Sequence, residues 1–238
     1  MKIEGRNAVE ELLKSDKGVD KVLIQNGLRD RDSRQVLALA RENRVKVQFA
    51  DKSALDRESV TGRHQGFIAY TEDYAYADYD DILSNCGEDA ILLVLNEIVD
   101  QHNLGSIIRV SECSGVKGVF IGKNRCAQVT ENVIRISEGS ANHVKIAKVT
   151  NINTLIENLK KDGFWVYGLE VGLQDIYKTN LKGRIALVIG GEDAGVGKLT
   201  KSKCDGLIEI PLAGKVNSLN ASVACGIAVF EAVRQRRT

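Results

Sequence analysis

Runs of strand length, rich in apolar residues, recur at residues 19–25, 90–98, 118–122, 145–149, 164–170, 185–190 and 207–210. Residues 45–50 alternate apolar and polar, and 66–70 are a further short run, so both predict strands. Helical spacing falls between these runs. Residues 7–14 read as a helix, and 31–44 set Val36, Leu39 and Ala40 on one face. Residues 151–163 carry Asn151 or Asn153 to cap a helix and Gly163 to end it. Strand–helix alternation with continuous apolar strands predicts an α/β fold whose parallel sheet is covered on both faces.

The alternation breaks once. Residues 73–90 hold six acids and no base and have no sustained period. This predicts a small α/β module at 1–72, an acidic linker at 73–90 and a larger α/β domain at 91–238. The final helix, expected from about Leu219, has two apolar stripes. Leu219, Val223, Ile227 and Phe230 form a large one, and Ala221, Cys225, Ala228 and Ala232 a small one. The small stripe fits tight internal packing or a subunit interface, and periodicity does not separate these.

Composition excludes some classes. With 238 residues, 43% hydrophobic and 27% charged, the chain is that of an ordinary globular protein. No run approaches the roughly 18 apolar residues of a membrane span, and the charged N-terminus is not a signal peptide. The five cysteines form no CxxC pair and the three histidines lack zinc spacing, so the expectation is free cytosolic thiols, no metal and a cytoplasmic protein. Residues 91–238 carry 19 basic and 14 acidic side chains, which permits a polyanionic partner.

Ligands of parallel sheets bind at the carboxyl ends of the strands. Three loops follow strands there: NEIVDQHNLGS (96–106), GGEDAG (190–195) and PLAGKVNSLN (211–220). The second is not a phosphate-binding P-loop, since five residues separate Gly191 from Gly197 and Leu199 follows Lys198. No GxGxxG follows the first strand. Ile210, Pro211, Leu212 and Leu219 are suited to wall an adenine-sized ring, and Gly190 and Gly191 to let a ligand approach the backbone. Asn103, Arg109, Glu192, Ser218 and Asn220 are candidates for its polar side. Each has a structural alternative: Asn103 as a helix cap, Arg109 in an ion pair with Glu192 or Glu112, Asn220 and Ser222 as caps of the last helix. Five such residues on three convergent loops favour a site.

At these residues the chain resembles a known family. NEIVDQHNLGSIIRVSECSGVKGVFI, LVIGGEDAGVGKLT and IEIPLAGKVNSLNASVACGIAVFEAVRQR are similar to the three motifs of the SpoU (TrmH-type) RNA ribose 2′-O-methyltransferases of the SPOUT superfamily. The match runs through residues 91–238. EGRNAVEELL and TGRHQGFIAY resemble the RNA substrate-binding domain of the RlmB-like branch. The resemblance implies an α/β methyltransferase domain with a deep trefoil knot, S-adenosylmethionine as cofactor, RNA as substrate and a homodimer with sites near the subunit interface. It implies cofactor contacts at Gly190, Ile210 and Leu219, with Gly191 and Ser222 beside them. Asn103, Arg109, Glu192, Ser218 and Asn220 match its functional positions. Arg109 is expected to clamp the target phosphate and stabilise a developing alkoxide, the proton leaving to a phosphate oxygen, water or Glu192. The implied substrate is a guanosine of large-subunit (23S) ribosomal RNA. The alternatives are transfer RNA, ribosomal resistance methylation and a non-catalytic assembly role.

Overall fold

The computed structural model of the chain describes residues 1–15, 18–28, 31–71, 74–192, 195–215 and 217–237, with the side chains of 31, 32, 172 and 173 left aside. The chain divides into two compact units. One comprises Met1–Ala75 with Val129–His143, the other Tyr76–Gln128 with Val144–Thr238.

The first unit begins β1 (Lys2–Glu4), α1 (Arg6–Lys14), β2 (Val19–Gln25), α2 (Arg31–Glu42), β3 (Lys46–Ala50), α3 (Lys52–Glu58) and β4 (Phe67–Thr71). The second contributes α4 (Tyr79–Leu83), β5 (Ile91–Asn96), α5 (Gln101–Ser114) and β6 (Gly118–Gly122). Then α6 (Glu131–Ile136) returns the chain to the first unit. The second unit is completed by β7 (Ile146–Val149), α7 (Ile152–Lys161), β8 (Trp165–Asp175), β9 (Ile185–Gly190), α8 (Lys198–Lys203), β10 (Gly206–Glu209) and α9 (Ala221–Arg236).

In the first unit four strands order β1-β4-β2-β3, with β4 antiparallel to both neighbours and β2 parallel to β3. Leu55 of α3 closes one face over Leu23 and Ile68. Sequence reading missed β1 and α3, because three and seven residues are too short to display a period. The return segment packs α6 against β1, and Tyr74 Oη donates to Ala141 O at 2.9 Å.

In the second unit six strands order β10-β8-β9-β5-β6-β7, every pair parallel. β5 is buried along its whole length, as expected of a central strand covered on both faces. Leu92 and Val94 face one layer with Phe120, Val166 and Val188, under Ile82 of α4 and Leu155, Ile156 and Leu159 of α7. Leu93 and Leu95, on the opposite face by strand alternation, are equally buried. On that side α5 and α9 pack together. Of residues 73–90, Asp73 lies outside the described residues and 76–90 belong to this unit. Ala77 N–H donates to Ile146 O, and Ile82 is fully buried.

Local chemistry sets the helix ends. Asp100 caps α5 by accepting from His102 N–H, and Gly115 ends it in the left-handed region at φ 76°. Asn151 caps α7, accepting from Asn153 and Thr154 N–H. Of the two stripes of α9, the small one is internal: Ala221, Cys225, Ala228 and Ala232 are buried, while Val223 and Phe230 are about half exposed (50% and 48%). At its far end Gln235 bonds Leu181 N–H and Thr179 O, and Arg236 donates to the carbonyls of Asp89, Leu181 and Gly183. The C-terminal end of the last helix is thereby held.

Candidate functional site

The site grows from two neighbouring strands. β5 and β9 run side by side to the pair Asn96 and Gly190, and their loops leave the sheet together. Gly191 N–H donates to Asn96 O at 2.9 Å, and Gly191 bridges Gly195 across the loop. A Cβ on Gly190 would lie 2.0 Å from the carbonyl carbon of Gly195, and one on Gly191 2.3 Å from Glu97 O. The glycines at 190 and 191 therefore admit the chain's own loops, a reason that differs from the ligand approach read from the sequence. Asp193 and Ala194 of this loop, and Val216 of the third, lie outside the described residues.

Asn220 organises the polar centre. As the N-cap of α9, its Oδ1 accepts from Ser222 N–H (2.9 Å) and Val223 N–H (3.3 Å), and also from Ser222 Oγ (2.7 Å). Backbone donors thus fix which end of the amide is oxygen. Its Nδ2 must point the other way, and donates to Asn103 Oδ1 (2.9 Å) and Glu192 Oε1 (3.1 Å). Asn103 Nδ2 then donates to the same Glu192 oxygen at 2.7 Å. One residue from each of the three loops meets in this triangle. Asn103 is 5% exposed and sits inside the first turn of α5, which Asp100 caps. Asn220 and Ser222 do cap the last helix, and the same cap aims the amide.

Beside the triangle lies a cavity of about 570 Å³, a size that holds small molecules and cofactors. Gly190, Gly191, Ile210 and Leu219 line it, with Ser218, Asn220 and Glu192 on its polar side. Leu212, from the sequence-predicted apolar wall, lines it as well. Ser222 acts through its bonds to Asn220. Arg109 is exposed on α5. Six residues after Asn103, it points about 120° around the helix from it, and it lines neither this cavity nor the smaller one beside Asn103. Leu169, Glu170 and Val171, where the pairing of β8 with β9 ends, also line the large cavity. Sequence reading missed them, because only the sheet order places β8 next to β9. Glu170 is held by Lys201 Nζ (2.8 Å) and Val196 N–H (3.3 Å). Burial pushes the Cys225 thiol up to about 12, so this cysteine packs α9 and is no nucleophile. Among the described residues no helix is long and apolar enough to cross a membrane.

Comparison with known proteins identifies the family and the fold. Residues 90–230 match the SpoU rRNA Methylase family, and residues 2–77 match the domain described as RNA 2′-O ribose methyltransferase substrate binding. YacO of Bacillus subtilis (strain 168), placed by its name in the TrmH family of tRNA/rRNA methyltransferases, is 40% identical over 98% of this chain and 94% of its own length. The SpoU methyltransferase AviRb from Streptomyces viridochromogenes, solved with AdoMet, superposes with a TM-score of 0.87 at 22% identity over 100% of this chain and 91% of that one. An AdoMet-bound rRNA methyltransferase from Sinorhizobium meliloti gives 0.80 at 22% identity, covering 98% and 86%. At these identities the superpositions establish the fold.

Proposed function

The chain belongs to the SpoU RNA methylase family, and from that premise we propose that it transfers methyl from S-adenosylmethionine to a ribose 2′-hydroxyl of RNA. The target we favour is a guanosine of large-subunit (23S) ribosomal RNA, methylated in the cytoplasm by a homodimer. The observation that carries the reading is the Asn103–Glu192–Asn220 triangle at the wall of a cavity sized for the cofactor. The residues fit that group: Ile210, Leu212 and Leu219 offer apolar surface for an adenine, and the backbone of Gly190 and Gly191 lies along the same wall. Bound there, S-adenosylmethionine supplies a sulfonium-activated methyl group.

The chain's own residues do the positioning. Asn220 and Asn103 hold the Glu192 carboxylate by one oxygen, which sets the direction of the other. A ribose hydroxyl placed against Glu192 is aligned and its proton has an acceptor. Ser218 offers a hydroxyl on the cavity side. The Arg109 guanidinium is assigned to the phosphate and the developing alkoxide. Its place outside the lining of both cavities supports a site completed by the partner subunit, and the exposed Val223 and Phe230 on α9 supply apolar surface for such a contact. The family's trefoil knot belongs to this same reading.

The test is transfer of labelled methyl to large-subunit ribosomal RNA and, separately, to bulk transfer RNA, with Asn220→Ala as control. Label in ribosomal RNA alone, lost in the control, is the expected result. Label in transfer RNA alone overturns the substrate, and label in neither overturns the activity.

A further inference from the structure

A second cavity, of about 280 Å³, opens on the far side of Gly191, Glu192 and Gly195, which line both cavities. Asn103 and Glu192 face it, and so does Arg125. Arg125 lies on the loop after β6, outside all three motif loops. Its backbone is left-handed, φ 54°, and so is that of Glu97 at φ 59°. Non-glycine residues stay in that region only where their surroundings hold them, and here they do. Ala127 N–H donates to Ile98 O at 2.7 Å, Cys126 Sγ reaches Leu95 O, and Gln128 Nε2 donates to Gly122 O and Cys126 O at 3.0 Å each. The turn that carries Arg125 is tied to the end of β5.

The guanidinium itself is weakly engaged. Its Nη1 reaches Glu97 Oε1 at 3.4 Å and its side chain is 82% exposed. An exposed pair of this kind is worth about 0–1 kcal/mol, so it exchanges at little cost. A phosphate oxygen pair offers the same fork a charge-assisted, bidentate partner. The layout also has a direction. The cation is 82% exposed and Asn103 only 5%, with the exposed Glu192 and Val99 (66%) on the same wall. That order suits a nucleotide with its phosphate outward, its hydroxyls inward and an apolar ribose face against Val99. We propose that Arg125 binds the RNA backbone phosphate beside the target ribose, and that Glu97 occupies its guanidinium until RNA arrives. This deepens the methyl-transfer reading and rests on it.

The experiment uses the full chain and its Arg125→Ala, Arg125→Lys and Glu97→Gln variants. It measures binding of labelled ribosomal RNA across a salt series, methyl transfer, and S-adenosylmethionine affinity. Arg125→Ala is expected to weaken RNA binding and raise KM for RNA roughly tenfold or more, with cofactor affinity unchanged. It should also flatten the slope of log K against log salt by about 0.7–0.9, the share of one phosphate. Arg125→Lys restores the slope but not the full affinity, and Glu97→Gln binds RNA at least as tightly as the parent. An unchanged slope and KM in Arg125→Ala overturns the proposal. So does Glu97→Gln weakening RNA as much as Arg125→Ala, since the pair is then structural. If the parent binds RNA without transferring methyl, the activity fails while the salt slopes still judge Arg125.

Discussion

Asn220 has two jobs that different substitutions separate. Its Oδ1 caps α9, and its Nδ2 orients Asn103 and Glu192. Asn220→Ala loses both. The lost cap costs about 0.5–2 kcal/mol, and the Asn103 Oδ1 left without its donor in a buried setting adds about 1–3 kcal/mol. Asn220→Ser keeps a good cap, since serine ranks with asparagine there, but its short hydroxyl cannot span to Glu192. The two variants should therefore differ in stability by about 1 kcal/mol, the cap alone, and both should lose methyl transfer. In urea unfolding that difference is about 0.3–1 M in the midpoint at typical slopes of about 1–3 kcal/mol/M. Circular dichroism gives the midpoints, and labelled methyl transfer gives the activity. Equal midpoints for the two variants would refute the cap assignment. Activity retained in Asn220→Ser would refute the orienting role of the amide.

Two further predictions concern other parts of the molecule. Gly190→Ala places a methyl 2.0 Å from Gly195 C and 2.3 Å from Val196 N, overpacking that typically costs about 1–3 kcal/mol. Calorimetry should show S-adenosylmethionine affinity reduced at least tenfold, and parental affinity would show that the loops are not crowded there. In the first unit, burial and then the Glu4 carboxylate push Glu131 up to about 7. Burial also acts on Glu4, but bonds from Ser59, Thr61 and Val60 N–H outweigh it and hold Glu4 below its ordinary value. Folded Glu131 thus keeps its proton across a range where the unfolded chain, at 4.5, has released it. Stability falls as pH rises from about 4.5 to about 7 and is level above that. Glu131→Gln should raise the unfolding midpoint over the parent at pH 8 and not at pH 4, and coincident midpoints at pH 8 would contradict this.

The central strands β5, β6 and β9 were legible because each is buried on both faces and so reads as an unbroken apolar run. The predicted runs 118–122 and 185–190 coincide with β6 and β9. Asn103, Glu192 and Asn220 were legible as candidates because they are polar residues in the segments that follow predicted strands. Their hydrogen bonding was not, since it depends on α9 lying against α5. Leu169, Glu170 and Val171 were hidden for a related reason: sheet order, unlike strand identity, leaves no local pattern. The return of residues 129–143 to the first unit is a long-range choice that no local period encodes. Arg125 carried no signal at all, because a single cation in a polar loop looks like any solvated surface.

The central claim is the position of the methyl group on the sugar. The most direct measurement is digestion of RNA methylated by the purified protein to nucleosides, with mass spectrometry of the products. The account predicts a single 2′-O-methylated nucleoside, guanosine on the favoured reading, and none from Asn220→Ser. A methyl group on a base would contradict it.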